Sequence, residues 1–191
     1  MKFRLTAVVL LSICLSNAFA DEGMWLLGNL KKNKQTERVM KDLGLQMPVN
    51  KLYNPKKPCL ADAVVSFGGF CSGVVVSDDG LVFTNHHCGF SSIQQHSSVE
   101  CDYLKDGFVA RSLQEELPNP ELYVRFLLRT EDVTKRVLSA AKYARTEAER
   151  RVAVDSIMNV IGMEVSEKDS TLIGVVDAYY AGNEFWLSVY R

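Results

Sequence analysis

The most constraining feature of the sequence is the block of residues 69–89, in which two cysteines flank a pair of short apolar runs. The runs, 72–76 and 81–84, are rich in valine and phenylalanine, and Ser77-Asp78-Asp79-Gly80 separates them. An Asp-Asp-Gly turn between apolar runs predicts a β-hairpin, because glycine supplies the positive φ that such a turn needs. A further β-rich run, 63–67, precedes the block, so three short strands are predicted here.

The N-terminus has the order of a cleavable secretory signal. Lys2 and Arg4 precede an apolar run over residues 5–15, and Ala18-Phe19-Ala20 follows as a small-x-small cleavage site. The run is about 11 residues long, whereas a membrane-spanning helix needs about 20. We therefore expect residues 1–20 to be removed and the product to be secreted across the inner membrane, to the periplasm or the cell exterior.

Export changes how the cysteines are interpreted. The chain has five, and Cys14 lies inside the predicted signal, so four remain. An even number in an oxidising compartment predicts two disulfides, although four cysteines allow three connectivities. Cys71 and Cys88 lie 17 residues apart and flank the hairpin, which makes them the natural pair and leaves Cys59 with Cys101.

The composition of the whole chain predicts an ordinary folded protein of one domain or a little more. Its 191 residues are 47% hydrophobic with a formal net charge of −1, which predicts no basic surface for nucleic acid. β-Rich or alternating patterns predict strands over 122–129, 172–180 and 185–190, and helical spacing predicts helices over 37–43, 133–141 and 154–161. Thr146 and Glu149 have the spacing of a capping box, which separates the last two helices. Because the final strand has no partner after it, we expect the N-terminal part of a longer protein.

A histidine follows the hairpin where acid–base catalysis could use it. In Thr84-Asn85-His86-His87-Cys88, the threonine and cysteine match the Thr-Ala-Ala-His-Cys pattern of chymotrypsin-type serine proteases, which selects His87 over His86. There a hairpin and a disulfide hold the imidazole that accepts the serine proton and returns it to the leaving amine. Two alternatives stay open: a core histidine beside a disulfide, and a zinc site of His86, His87, Cys88 and His96. Adjacent side chains seldom converge on one ion, so we expect no metal.

Several other motifs occur in a fixed order through the chain: Asp21-Glu22-Gly23-Met24-Trp25, Asp106-Gly107-Phe108-Val109-Ala110, Glu115-Glu116-Leu117-Pro118, Glu131-Asp132-Val133-Thr134 and Ala181-Gly182-Asn183-Glu184-Phe185-Trp186. Together with the Asn-His-His-Cys-Gly block, they resemble those of the bacterial periplasmic serine dipeptidyl-peptidases, the dipeptidyl-peptidase 7 and 11 group. The resemblance covers nearly all of the chain after residue 20.

This resemblance implies a mainly β fold, the first part of a chymotrypsin-like double β-barrel with some helical segments and a large helical insertion beyond the chain end. It implies an aminopeptidase that releases dipeptides from free peptide N-termini with a His/Asp/Ser triad, of which only His87 lies in this chain. Trp186 and Asn183 are the nearest matches to the residues that bind the substrate's free amine. It also implies a homodimer of the full-length protein and no cofactor.

The predicted organisation is a signal peptide over 1–20, an N-terminal extension over 21–60 and an incomplete peptidase domain over 61–191. This piece alone is expected to be inactive. Two other functions stay open. One is a trypsin-like secreted endopeptidase, which lacks the residues that bind the substrate's free amine at the end of the substrate site. The other is a non-catalytic secreted protein with a protease-like barrel. We expect peptides as partners, and neither nucleic acid nor, after signal cleavage, a membrane.

Overall fold

The computed structural model describes residues 26–30 and 34–191, so the predicted signal and the motif at 21–25 lie outside the described residues. The chain divides into two compact units, Met1–Gly44 and Leu45–Arg191. In the first, the described residues form a 3-10 turn, Leu27–Asn29, and helix α1, Lys34–Asp42. In the part of the chain that is described, no helix is both long and apolar enough to cross a membrane.

The second unit is built on a six-stranded antiparallel sheet in the order β3-β2-β1-β4-β6-β5. The strands are β1 (Val64–Phe67), β2 (Cys71–Val75), β3 (Val82–Thr84), β4 (Val124–Asp132), β5 (Ile173–Tyr179) and β6 (Glu184–Tyr190). All six coincide with runs that the sequence pattern predicts as strands. Within residues 45–191 the sheet is open, with β3 and β5 at its edges.

The β2–β3 hairpin forms as predicted around the Asp-Asp-Gly turn. Its register pairs Val74 with Phe83, and Gly80 adopts a φ of 84°. The Ser77 hydroxyl accepts a hydrogen bond from the Leu81 amide at 3.0 Å and closes the turn. The turn therefore fixes the register that brings Thr84 to the end of β3, directly before the two histidines.

Five α-helices belong to this unit: α2 (Val49–Leu52), α3 (His86–His96), α4 (Tyr103–Asp106), α5 (Thr134–Ala140) and α6 (Glu147–Lys168). It also has three short 3-10 helices, Leu60–Ala63, Leu113–Glu115 and Tyr180–Gly182. The predicted break between the last two is confirmed. Thr146 accepts a hydrogen bond from the Glu149 amide at 3.2 Å. The Glu149 carboxylate accepts one from the Arg145 amide at 2.7 Å, one residue before the position that an ideal capping box uses.

The main core lies between the β5–β6 hairpin and helices α5 and α6. Its buried members are Val137, Ile161, Val165, Val176, Phe185, Leu187 and Val189. Arg136 of α5 donates two hydrogen bonds to Glu164 of α6, which lower the pKa of that carboxyl. Apolar burial and this exposed ion pair thus hold the two helices together on one side of the sheet.

Candidate functional site

His87 lies in the first turn of α3, immediately after β3. Asn85 is the N-cap residue, with extended backbone angles (φ −75°, ψ 147°), and its carbonyl accepts a hydrogen bond from the Cys88 amide at 2.9 Å. The chain thus passes from strand to helix at a single residue. His86 and His87 become the first two helical residues, and both side chains are exposed.

Two contacts tie this first turn to the neighbouring strand β2. Cys88 is buried and forms a disulfide with Cys71, with a Cα–Cα distance of 6.1 Å. The Thr84 hydroxyl donates a hydrogen bond to the Ser72 carbonyl at 2.8 Å. Because the anchors lie on both sides of His87 in sequence and end on adjacent residues of β2, they fix the backbone that carries the imidazole.

The other expected bridge, between Cys59 and Cys101, is not formed, and both are free thiols. Each cysteine is engaged locally instead. The Cys59 amide donates to an Asp62 carboxylate oxygen at 2.9 Å, and its thiol lies 3.5 Å from the other oxygen of that carboxylate. The Cys101 amide donates to the Ser98 hydroxyl at 3.1 Å. Pairing by elimination therefore gave a bridge that the structure does not contain.

The zinc set considered from the sequence does not converge. A ring nitrogen of His87 and the sulfurs of Cys71 and Cys88 lie within 4.8 Å of one another, but the sulfurs are bonded to each other and so offer no thiolate. His96 ends the same helix nine residues after His87, which places it about 14 Å away along the axis. These residues cannot surround one ion.

The two adjacent histidines have different surroundings. The His86 ring packs edge-on against Phe90, with centroids 6.0 Å apart and an interplanar angle of 73°. This is the i,i+4 spacing that aligns side chains on one helix face. Within residues 26–30 and 34–191, the His87 ring makes no hydrogen bond. His87 therefore has an exposed imidazole on a fixed backbone, and its ring nitrogens are open to partners, which a general base requires.

Trp186 and Asn183, the predicted amine-binding residues, lie in the β5–β6 hairpin. Trp186 is only 7% exposed, and its indole N–H donates to Glu184 at 2.9 Å. Asn183 is exposed, and its amide donates to the Tyr180 carbonyl at 2.6 Å. Four strand spacings, roughly 19 Å along the sheet, separate β3 from β6. Their role in amine binding stays a prediction, and the structure shows both engaged within their own hairpin.

Strand β5 also carries two titratable side chains whose pKa is raised above its ordinary value. Burial raises the pKa of Asp177, which lies beside Trp186 in the strand register. Burial, and then the charge of Asp177, raise the pKa of Tyr179. These shifts arise from packing in the sheet and involve neither histidine of α3.

Comparison with known proteins shows which family the chain belongs to. The family model described as Peptidase S46 matches residues 20–191. Dipeptidyl-peptidase 7 of Porphyromonas endodontalis is 46% identical over 188 residues, which cover 96% of this chain and 23% of that protein. The Asp/Glu-specific dipeptidyl-peptidase of Porphyromonas gingivalis is 42% identical over 193 residues, covering 96% and 26%.

Solved structures give the same result in three dimensions. The crystal structure of Porphyromonas endodontalis DPP11 in complex with substrate superposes with a TM-score of 0.73 at 36% identity, over 90% of this chain and 25% of that one. Its complex with the dipeptide Arg-Asp gives a TM-score of 0.74. This chain thus spans about a quarter of the length of its relatives. The family match extends over nine-tenths of the sequence, including the hairpin, the disulfide and His87, and the chain belongs to the Peptidase S46 family.

Proposed function

We propose that this chain is the N-terminal part of an exported serine dipeptidyl-peptidase in which His87 is the general base. One observation carries the proposal: an exposed imidazole is held by a disulfide and a strand-to-helix turn, inside a chain that matches Peptidase S46. The relatives' names as dipeptidyl-peptidases supply the reaction class. Hydrolysis of a peptide bond two residues from a free N-terminus is the activity.

In this mechanism His87 accepts the proton of a serine hydroxyl as that oxygen attacks the scissile carbonyl. The resulting imidazolium then protonates the leaving amine, and a second cycle with water releases the dipeptide. The Cys71–Cys88 disulfide and the Thr84–Ser72 hydrogen bond hold the backbone that carries the ring through both proton transfers. The serine, and an aspartate that orients the imidazole, belong to the polypeptide beyond Arg191, which completes a chymotrypsin-like double β-barrel.

The substrates are peptides with a free N-terminus. This is supported by the structures of Porphyromonas endodontalis DPP11 with the dipeptides Arg-Glu and Arg-Asp. The protein acts in the periplasm or outside the cell as a homodimer, after removal of residues 1–20. Sequencing the N-terminus of the protein isolated from the periplasm tests export, and the expected first residue is Asp21.

The decisive experiment compares three single histidine variants of the full-length protein: His87→Ala, His86→Ala and His96→Ala. The assay uses dipeptidyl fluorogenic amides with a free amine and the same amides with an acetylated amine. We expect His87→Ala to lower kcat/KM by a factor of about 10³ or more, because a triad loses its function when one member is removed. The other two variants should stay within about tenfold of the wild type.

Each alternative gives a different result. If His86→Ala loses activity and His87→Ala retains it, the general base is His86 and not His87. Equal turnover of the acetylated amides indicates an endopeptidase. Absence of turnover in the folded full-length protein indicates a non-catalytic protein.

A further inference from the structure

A cavity of about 170 Å³ lies where strand β4 meets helices α5 and α6. Its β4 wall contains Arg129 and Glu131. Their partners in the register are Val189 and Leu187, two buried members of the core. Because paired residues share a face of the sheet, Arg129 and Glu131 lie on the side that carries the helices. Ile161 and Leu187, only 2% and 5% exposed, form the apolar floor of what we call the helix–sheet cavity.

The rim of the helix–sheet cavity carries balanced charges. Its six charged side chains are Arg129, Glu131, Arg136, Glu164, Lys168 and Asp169. Three are cations and three are carboxylates. Hydrogen bonds from Arg136 lower the pKa of Glu164, and hydrogen bonds from Thr171 lower the pKa of Asp169, so both carboxylates are ionised at neutral pH. A rim of both charges above an apolar floor matches a ligand that carries an ammonium, a carboxylate and an apolar group.

Part of this rim still has hydrogen-bonding capacity. Arg129 donates from Nε to Glu131 Oε1 at 2.6 Å. Within residues 26–30 and 34–191, the terminal nitrogens of Arg129 and the other carboxylate oxygen of Glu131 make no hydrogen bond, and the Lys168 ammonium makes neither a hydrogen bond nor an ion pair. Guanidinium and ammonium donors bind a carboxylate, and a carboxylate oxygen accepts from an ammonium. The unused donors and the unused acceptor therefore match the two ends of a zwitterion.

The volume of the helix–sheet cavity limits the size of that ligand. A protein cavity of about 150 Å³ holds a benzene molecule, so this one takes a molecule of roughly six to ten heavy atoms. Free valine or leucine is of this size, and a dipeptide is larger. The side chains of the two ion pairs on the rim, Arg129–Glu131 and Arg136–Glu164, are 36% to 48% exposed. The rim is therefore open to solvent, and a ligand can enter.

We propose that the helix–sheet cavity binds a free α-amino acid with an aliphatic side chain, such as leucine. The ligand's carboxylate accepts hydrogen bonds from Lys168 and the terminal nitrogens of Arg129, and its ammonium donates to Glu131. Its side chain lies against Ile161 and Leu187. The proposed function uses none of these residues. A ligand held in this way contacts β4, β6 and α6 at once, so it stabilises the packing of that helix on the sheet.

The test is calorimetric titration of the full-length protein with L-leucine and three analogues. Leucine should bind saturably with a Kd below about 1 mM. N-acetyl-leucine lacks the ammonium and leucinamide lacks the carboxylate, so each loses charge-assisted hydrogen bonds and should bind at least about tenfold more weakly. Glycine keeps both charged groups but lacks the apolar side chain, and it should also bind at least about tenfold more weakly.

Two variants assign the binding to the helix–sheet cavity. Lys168→Gln should weaken leucine binding at least about tenfold and leave leucinamide unchanged, and Glu131→Gln should weaken leucine binding equally and leave N-acetyl-leucine unchanged. Both replace an exposed charged side chain by a neutral one of similar size, so the fold is kept. The matched controls, Lys142→Gln and Glu121→Gln, change exposed charges that do not line this cavity. Their leucine affinity should stay within about twofold of the wild type.

Several results would overturn the proposal. One is the absence of saturable leucine binding below about 1 mM, which would leave a cavity that holds only water. Another is unchanged leucine affinity in Lys168→Gln, because the amino acid then binds elsewhere. Tighter binding of leucyl-leucine than of leucine would refute the assignment to a single amino acid. No readout uses peptidase activity, so a protein that binds leucine in this way but cleaves no peptide refutes only the proposed function.

Discussion

Replacing Gly162 by alanine sets two opposing effects against each other in α6. Alanine is more favourable than glycine inside a helix by about 1 kcal/mol, so helix propensity predicts stabilisation. The structure predicts the opposite, because a Cβ at Gly162 would lie 2.7 Å from the carbonyl oxygen of Gly174. That oxygen belongs to the backbone of β5, which is paired along its length with β6. It cannot turn aside as the end of a flexible side chain could.

The packing effect should exceed the propensity effect. Inserting a methyl group into a well-packed core costs about 1–3 kcal/mol, and a contact with fixed backbone belongs at the upper end of that range. Subtracting about 1 kcal/mol of helix propensity leaves a net destabilisation of about 2 kcal/mol. The loss should be concentrated where α6 crosses β5, since Gly162 is buried at that crossing.

The matched control is Gly89→Ala in α3, where the nearest atom to an added Cβ is a terminal carbon of Ile93 at 3.9 Å. There the methyl group fits, and we expect stabilisation of about 0.5–1 kcal/mol. Urea unfolding of both full-length variants measures the free energies, and hydrogen exchange of the α6 amides localises the change. If Gly162→Ala is as stable as Gly89→Ala, the reasoning from close approach is wrong.

Two further predictions concern a covalent link and a carboxyl group. Replacing Cys71 and Cys88 together by serine opens a loop of 17 residues and should lower the free energy of unfolding in urea by about 3 kcal/mol. The same change at the free Cys59 and Cys101 should lower it by less than about 1 kcal/mol. Equal losses in the two variants would contradict the Cys71–Cys88 bridge. Asp177→Asn should raise the thermal midpoint more at pH 7 than at pH 4. Burial raises the pKa of Asp177 in the folded protein, so its destabilising charge is absent at low pH and appears as the pH rises through that pKa. A larger gain at pH 4 would reverse the sign.

The strands and the helix break were predictable because their signals are local. The β2–β3 hairpin depends on Gly80 and on the apolar residues beside it, and α6 begins where Thr146 and Glu149 satisfy its first amides. These interactions join residues that are close in sequence. A pattern of neighbouring residue types is therefore sufficient to find them.

Helix α3 was not predicted, because its segment lacks such local signals. The sequence interpretation placed the histidines at the end of a strand, where the structure also has them, but it did not predict that His86–His96 is helical. The segment contains Gly89 and two serines and has no strong apolar stripe, so its helix propensity is weak. Its first turn is held by the disulfide to Cys71, a tertiary contact. The absent Cys59–Cys101 bridge is a failure of the same kind, since counting cysteines carries no information about distance.

In the candidate site, the contacts that hold the backbone of His87 do not involve the imidazole that would take part in the reaction. The disulfide and the Thr84–Ser72 hydrogen bond that tie the α3 turn to β2 both come from residues 71–88. The imidazole itself is exposed and, in the part of the chain described, makes no hydrogen bond. Removing the ring should therefore change stability by less than about 0.5 kcal/mol, the range for exposed side chains without special contacts. Loss of activity in His87→Ala at unchanged stability would then be attributable to chemistry, whereas removing the disulfide would lower both.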